Sequence, residues 1–279
     1  MINAALFRHK HQLWLRLLFL SFSSDNATVK NRLYEFSQIE FRHLKWIAAE
    51  LFDNRIEYGY GRDKTFSIEA STLSQLIERA LSELQELSVA YGQSVLAERM
   101  RTDEAYILRY LQNVSSMDES AKEITVFDRK RLWPDAPLSP EQSDALTLFL
   151  FEESYKEYEL ILVYFYQQTR CTSHIESTSY QDLIDESHFH LRSFGEMMAK
   201  LGILALPREL HPKTYKIDQL ENFLINGIGE EENAKEECRK LSALITEESL
   251  SSFFDFINYQ ESYHIEIMKR LLQEISWKR

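Results

Sequence analysis

Two stretches in the second half of the chain place an acidic residue three positions before a histidine. They are Asp185–His188 and Glu261–His264, each within a long run of helical apolar spacing. Because three positions on a helix turn through about 300°, the two side chains of such a pair lie on one face. A carboxylate and an imidazole that reach the same buried point can bind a metal ion, so the spacing predicts a metal site.

Two further acids, Glu157 and Glu237, lie between apolar residues on two other predicted helices. Charged side chains are rarely buried unless they are paired or bind a metal, so both acids become candidate ligands. The predicted set of four carboxylates and two imidazoles is Glu157, Asp185, His188, Glu237, Glu261 and His264. Such ligands suit iron or manganese, and zinc is compatible with them. Glu153, one turn before Glu157, is the alternate first-helix ligand, and Tyr164 could donate to a ligand.

An ordinary structural explanation competes with the metal site. The acids would be exposed if the helical phase were shifted, and the histidines could be core residues with satisfied hydrogen bonds. Of the eight histidines, His190 lies two positions after His188 and is expected to point away from the site. The acidic run 230–232 is expected to be a solvated helix start, favoured by the helix dipole.

Apolar residues recur at helical spacing along most of the chain, with only seven glycines and five prolines. Helices are predicted at 3–23, 28–52, 69–92, 95–114, 141–169, 177–201, 217–245 and 249–277. The connections 53–68 and 202–216 are long, whereas those within each helical hairpin are short. This order is typical of four-helix bundles with one long crossover. The predicted organisation is a first bundle at 1–115, a linker at 116–140 and a second bundle at 141–279.

The two halves resemble each other when one is shifted by 145 residues, with short insertions in the later helices. The first-half residues that align with the predicted ligands are Gln12, Glu40, His43, Glu83 and Glu104. Gln12 replaces the carboxylate of Glu157, and Ile107 replaces the imidazole of His264. We therefore predict an internal duplication whose first copy keeps only a degenerate site.

The first half is accordingly predicted to lack a metal pair. Arg8 aligns with Glu153, and its guanidinium could neutralise the acids Glu40, Glu83 and Glu104 because it carries five donors. On this hypothesis the first bundle is a scaffold with a salt-bridged centre. The competing interpretation is that Glu40 and His43 hold a single ion.

The second half resembles the ferritin-like superfamily of di-iron and di-manganese carboxylate proteins. The matching signatures are Glu157-x-x-Leu160-x-x-x-Tyr164, Asp185-Glu186-Ser187-His188-Phe189 and Glu261-Ser262-Tyr263-His264. The resemblance covers 141–279 well and 1–114 in part, and it departs at Asp185, where the family usually has glutamate. It implies an all-α fold of two tandem ferritin-like four-helix bundles, each with one long crossover, and a site for two iron or manganese ions.

Such a site implies a non-haem oxidoreductase that activates O₂ or peroxide. The favoured activity is an oxidase or oxygenase of a small molecule, with a possible external electron donor. Asp185 and Glu261 are expected to bridge the ions, and His188 and His264 to be terminal ligands, with no catalytic residue assigned beyond the ligands. A manganese catalase-like or peroxidase-like enzyme is the second hypothesis. The third is a non-catalytic helical interaction protein whose core acids form salt bridges.

Composition narrows the remaining classes. A net charge of −12 disfavours nucleic-acid binding because phosphates would be repelled. Cys171 and Cys238 provide neither a metal-finger spacing nor a disulfide framework, which favours a cytoplasmic protein. The apolar stretch 13–20 contains Arg16 and is too short to span a bilayer, so it is interpreted as a buried helix. The sequence leaves open whether the chain forms a homodimer.

Overall fold

The structure is a computed structural model that describes residues 2–24, 26–61, 71–116, 123–124, 138–201 and 209–277. Most of the predicted linker at 116–140 therefore lies outside the described residues. The same holds for part of each long connection, at 62–70 and 202–208.

The described chain is helical apart from one short strand pair, which confirms the prediction of an all-α fold. The helices are α1 (Ala4–Ser23), α2 (Ala27–Asp53), α3 (Leu73–Ala90), α4 (Val95–Ser116), α5 (Pro140–Arg170), α6 (His174–Lys200), α7 (Pro212–Tyr215), α8 (Leu220–Leu244) and α9 (Glu248–Trp277). The strands β1 (Ser71–Thr72) and β2 (Glu123–Ile124) pair antiparallel. Every predicted helix is present, and the four-residue α7 is an addition within a stretch predicted to be a connection.

Several helices begin at a side chain that accepts hydrogen bonds from the first free backbone N–H groups. Asn3 caps α1 in this way, and Asn26 caps α2 by accepting from two amides. Ser139 and Gln142 form a reciprocal capping box at the start of α5, next to the favourable Pro140. These short polar residues fix the helix starts that apolar spacing alone leaves uncertain.

The helices form two compact units, with α1–α4 in unit one and α5–α9 in unit two. In unit one, α1 packs on α2 and α3, and α4 packs on the same two helices. In unit two, α5 packs on α6 and α8, and α9 packs on the same two helices, while α7 lies against α5. The four long helices of each unit thus enclose a central space that all four can line.

Helix α1 is buried along most of its length. Every residue from Lys10 to Phe22 is buried, including Arg16, because the helix is apolar on nearly all sides. The prediction that the stretch 13–20 belongs to a buried helix is therefore confirmed. Among the described residues, no helix combines the length and apolar character needed to cross a membrane.

Candidate metal centre

Ionisable side chains from four helices of unit two converge at its centre. The helices are α5, α6, α8 and α9. The side chains are those of Glu153, Lys156, Glu157, Glu186, His190, Glu231, Glu261 and His264. We call this set the unit-two cluster. The side chains of Glu157, Glu231 and Glu261 are at most 4% exposed, so their charges are removed from bulk water.

His264 is surrounded by carboxylates. Its Nδ1 lies 2.9 Å from Oε2 of Glu261 and 3.9 Å from Oε2 of Glu231, and its Nε2 lies 2.8 Å from Oε2 of Glu186. Glu261 and His264 are three positions apart on α9, which brings them to one face as their spacing predicts.

His190 contacts two carboxylates of the cluster, and it shares Glu261 with His264. Its Nδ1 lies 2.8 Å from Oε1 of Glu157 and 3.5 Å from Oε1 of Glu261, and its Nε2 lies 3.2 Å from Oε1 of Gln260. The His190 and His264 rings are 5.3 Å apart between centroids. One ligand atom from each of His190, Glu261 and His264 lies within 4.8 Å of the other two, a separation that one metal ion can close.

Two polar atoms at this centre are buried without a hydrogen-bond partner among the described residues, Oε2 of Glu157 and the hydroxyl of Tyr164. Oε2 of Glu186 and Oε2 of Glu261 contact the imidazole nitrogens of His264, at 2.8 and 2.9 Å. Leaving such groups unsatisfied costs about 1–3 kcal/mol each, and more for charged groups. A cation would satisfy the carboxylate and imidazole atoms together, so the donor set fits an iron or manganese ion.

Burial and neighbouring charges shift the pKa values of the carboxyl groups in different directions. Burial and the charge of Glu231 raise the pKa of Glu261 to about 8. Burial also opposes ionisation of Glu231, but contacts with His264 and Glu261 and the charge of Lys156 lower its pKa to about 2. The pair therefore favours one bound proton at neutral pH, held on the Glu261 side.

The imidazoles are strong bases in this surrounding. Burial lowers the pKa of His190, but the charge and hydrogen bond of Glu157 outweigh it and raise the value to about 9. Burial is likewise outweighed at His264, whose pKa is raised by the nearby carboxylates of Glu186, Glu231 and Glu261. Without a metal, both imidazoles are therefore doubly protonated and positively charged at neutral pH.

Lys156 adds a positive charge at the edge of the unit-two cluster. Its ammonium lies 3.7 Å from Oε2 of Glu153. Burial lowers the pKa of Lys156, yet the charges of Glu231, Glu153 and Glu157 outweigh burial and raise it. Burial, only partly offset by Lys156, raises the pKa of Glu153 to about 7.

Five of the residues named from the sequence belong to this centre or line it. Glu157, Glu261 and His264 belong to the cluster as expected, and the alternate ligand Glu153 lies beside Lys156. Tyr164 is fully buried, and its hydroxyl lies within range of the charges of Glu231 and Glu157.

Three predicted ligands lie elsewhere, because the helical phases of α6 and α8 differ from those expected. Asp185 is exposed and accepts a hydrogen bond of 2.7 Å from Gln181. Glu237 is also exposed, 2.6 Å from Lys240. His188 is buried, but no group of three ligating residues in the described chain includes it.

The residues that take their places were missed or assigned to solvent. On α6 they are Glu186 and His190, and on α8 the residue is Glu231. The expectations that His190 points away and that Glu231 is solvated are wrong. Glu186 and His190 are four positions apart, a spacing that also shares a helix face, so this signal was present in the sequence.

Unit one has a similar centre that contains its own cation. The ammonium of Lys10 contacts Oε2 of Glu40 directly, lies 2.5 Å from Oε1 of Glu104 and lies 3.1 Å from Nδ1 of His43. The hydroxyl of Tyr91 donates to the same Glu104 oxygen. Lys10, Glu40 and His43 have no exposed side-chain surface.

The contacts of His43 define its tautomer. An ammonium can only donate, so Lys10 requires a lone pair on Nδ1 of His43. The ring proton then lies on Nε2, which is 3.1 Å from Oδ2 of Asp103 and donates to it. His43 joins Lys10 to a carboxylate that also pairs with Arg42 at 3.2 Å.

The pKa shifts in unit one match this arrangement. Burial opposes charge on Lys10, but the charges of Glu40 and Glu104 raise its pKa. Burial is also outweighed at Glu40, where the charge of Lys10 lowers the pKa. At Glu104 burial dominates over Lys10, and the pKa is raised.

The cation of unit one differs from the one proposed from the sequence. Lys10 takes the role given to Arg8, which is only partly buried. Glu83 is not bound to Lys10 but receives two hydrogen bonds from the guanidinium of Arg16, at 2.8 and 2.6 Å. Gln12 is buried beside a pocket of about 290 Å³ that His9 also lines.

No family model, curated protein or solved structure matched this chain.

Substitutions of Asp185 and Glu237, the predicted ligands that face solvent, test directly which residues form the metal site. Asp185→Asn and Glu237→Gln should leave the melting temperature and the Fe(II) affinity unchanged, because both side chains face solvent. Glu231→Gln should weaken Fe(II) binding about 10–100-fold, the usual effect of disturbing a metal site near its ligands. Anaerobic isothermal titration calorimetry measures the Fe(II) affinity of the three variants, and thermal unfolding measures their melting temperatures. A loss of affinity in the Asp185 or Glu237 variant would contradict this assignment.

Proposed function

We propose that this protein is a non-haem metal-dependent oxidoreductase that activates O₂ or peroxide, with iron or manganese bound in unit two. We further propose that both units are ferritin-like four-helix bundles in tandem. The favoured reaction is oxidation or oxygenation of a small molecule, with electrons from an external donor. Unit one then serves as a scaffold whose centre needs no metal.

The observation that carries this proposal is the convergence of buried carboxylates and imidazoles from four helices on one point. Four helices each supply at least one carboxylate or imidazole to one point, and Oε2 of Glu157 is buried there without a hydrogen bond. Five carboxyl groups surround one ammonium and two imidazoles in the unit-two cluster, a donor set rich in the oxygen and nitrogen ligands that iron and manganese accept.

When bound, the metal supplies the electrons and the Lewis acidity that oxygen or peroxide reduction requires. His190, Glu261 and His264 would hold it, since their ligand atoms already lie close together. To bind the metal, both imidazoles and Glu261 would release protons to solvent, so metal affinity should rise with pH. The surrounding helices exclude water from this point. Tyr164, which burial keeps protonated by raising its pKa, provides a hydroxyl donor near the ligands.

Metal uptake tests the proposal directly. The full chain, reconstituted anaerobically with Fe(II) or Mn(II), should retain at least about one ion per chain after desalting. At a free metal concentration of about 100 times Kd, unit two should be stabilised by about 2.7 kcal/mol. Hydrogen exchange should show this protection in α5, α6, α8 and α9, whereas α1–α4 should not change. Oxygen-consumption and peroxide-disproportionation assays then separate an oxidase or oxygenase from a catalase-like enzyme.

Lys156 and the basic imidazoles favour one competing function. If Lys156, His190 and His264 all remain charged, they balance Glu157, Glu231 and Glu261 without a metal. The chain would then be a helical interaction protein with a salt-bridged core. Retention of much less than one ion per chain, with no metal-dependent exchange protection, would support this alternative and contradict the proposed enzyme.

A further inference from the structure

One ligand atom from each of His190, Glu261 and His264 forms a mutually close set in the described part of unit two. Two imidazoles and one carboxylate form a set that commonly binds a single iron ion and leaves other coordination positions open. Glu157 and Glu231 each lie near one of these imidazoles, at 2.8 Å from His190 and 3.9 Å from His264, and Lys156 interacts with both carboxylates.

Lys156 supplies a positive charge beside the carboxylates that a second metal ion would need. Lys156 is on the same helix as Glu157, and its ammonium is 3.7 Å from Glu153. Its side chain is 22% exposed, and its charge interacts with Glu231, Glu157 and Glu261. A second divalent ion among these carboxylates would be repelled by the ammonium and would have to displace it.

In unit one, a lysine ammonium is fully enclosed by a carboxylate–imidazole centre. There the ammonium of Lys10 is bound by Glu40 and Glu104, and it contacts the imidazole of His43. These three residues are themselves a possible metal-binding group, so an ammonium takes the position that an ion could occupy. A lysine therefore serves as the cation of a carboxylate–imidazole centre elsewhere in this chain.

We propose that unit two binds one metal ion, on His190, Glu261 and His264, and that the Lys156 ammonium replaces the charge of a second ion. This inference rests on the proposed function, because it requires that unit two bind a metal at all. It predicts a mononuclear centre instead of the di-metal centre expected from the sequence. Glu153, Glu157 and Glu231 then serve mainly to hold the lysine and the imidazoles.

The test is the number and the magnetic coupling of ions in the full chain and in three variants. Lys156→Met removes the charge and keeps the approximate length, Lys156→Arg keeps the charge, and His264→Gln removes one ligand. Each protein is loaded anaerobically with Mn(II) alone and desalted, and its ions are counted by mass spectrometry. Electron paramagnetic resonance distinguishes an isolated Mn(II) ion, with its six-line signal, from a coupled pair.

The wild-type chain and Lys156→Arg should each hold one isolated ion. Lys156→Met should bind a second ion at least about tenfold more tightly than the wild type, with a coupled signal, because about 1.4 kcal/mol of charge repulsion is enough for that factor. His264→Gln should lose the isolated ion, which places it in unit two. Circular dichroism confirms that each variant is folded, and Lys156→Gln replaces Lys156→Met if the latter is not.

The outcomes separate this inference from the proposed function. A coupled pair in the wild-type chain would overturn the single-ion inference and leave the metal-dependent function standing. One isolated ion in both the wild type and the charge-removing variant would overturn the role of Lys156. No bound ion in any of the proteins would overturn the proposed function itself.

Discussion

Replacing Lys10 with methionine should destabilise unit one by about 3–5 kcal/mol, the cost of leaving buried charges without their partner. The substitution removes the ammonium that Glu40 and Glu104 share, and neither carboxylate can reach water. His43 also loses the donor to its Nδ1. Urea unfolding monitored by hydrogen exchange in peptides from α1–α4 measures the loss separately from unit two.

The loss should depend on pH in a defined direction. In the wild type the pKa of Glu40 is lowered, so this residue contributes stability above the pKa of an unfolded glutamate, about 4.3, and that stability is lost as pH falls. In Lys10→Met, burial without a cation should raise the pKa of Glu40 and raise that of Glu104 further. The variant then gains stability relative to the wild type as pH falls, and the difference should narrow towards about pH 4.

A matched variant distinguishes lost charge balance from lost packing. Lys10→Met combined with Glu40→Gln and Glu104→Gln removes the two carboxylates along with the ammonium. Because neutral groups are less costly to bury than unpaired charges, most of the stability should return. If the triple variant is as unstable as the single one, or if the single variant shows no pH dependence, Lys10 does not act as the cation of this centre.

The helices themselves are well determined by local sequence. Apolar spacing, few glycines and capping residues such as Asn26 and Ser139 act within a few positions, so their effects can be read without tertiary information. The same is true of Glu261 and His264, which lie on a regular apolar stripe of α9 with Ile257 and Met268. Where the buried face is narrow, the phase of a helix follows from the sequence.

Helix α6 shows where this reasoning ends. Its buried face is broad and includes Ser187, His188, His190 and Leu191, so apolar spacing does not decide which of them faces the centre. His188 was predicted because it follows Asp185 by three positions and aligns with His43, and neither pattern decides which residue of a broad buried face points to the centre. Lys10 and Glu157 are 147 residues apart, as are His43 and His190, two positions more than the shift of 145.

Helix α8 carried a signal that was overlooked. Its buried residues are Leu224, Glu231, Ala234, Cys238 and Leu241. They are separated by seven, three, four and three positions, so all of them lie on one stripe of the helix. Glu231 lies on that stripe and Glu237 does not. The acidic run 230–232 was predicted to be a solvated helix start, but it lies in the middle of α8, and the apolar spacing alone places Glu231 on the buried stripe.

Replacing His264 or His190 with glutamine should weaken Fe(II) binding by more than about 100-fold, beyond the usual effect of changing a neighbour of a ligand. Each substitution removes a nitrogen from the mutually close ligand set. His188→Gln should bind Fe(II) as the wild type does, since His188 lies outside that set and yet is buried like the other two. Anaerobic titration of the three variants therefore compares buried histidines with different positions.

The comparison also distinguishes the two geometries directly. If the sequence-derived ligand set were right, His188→Gln would lose binding and His190→Gln would keep it. The geometry of α6 requires the reverse, because the two residues are separated by about 200° around the helix and only one can face the centre. Equal, small effects for all three variants would instead show that these histidines are bases in a salt-bridged core, since a protonated imidazole does not bind a metal.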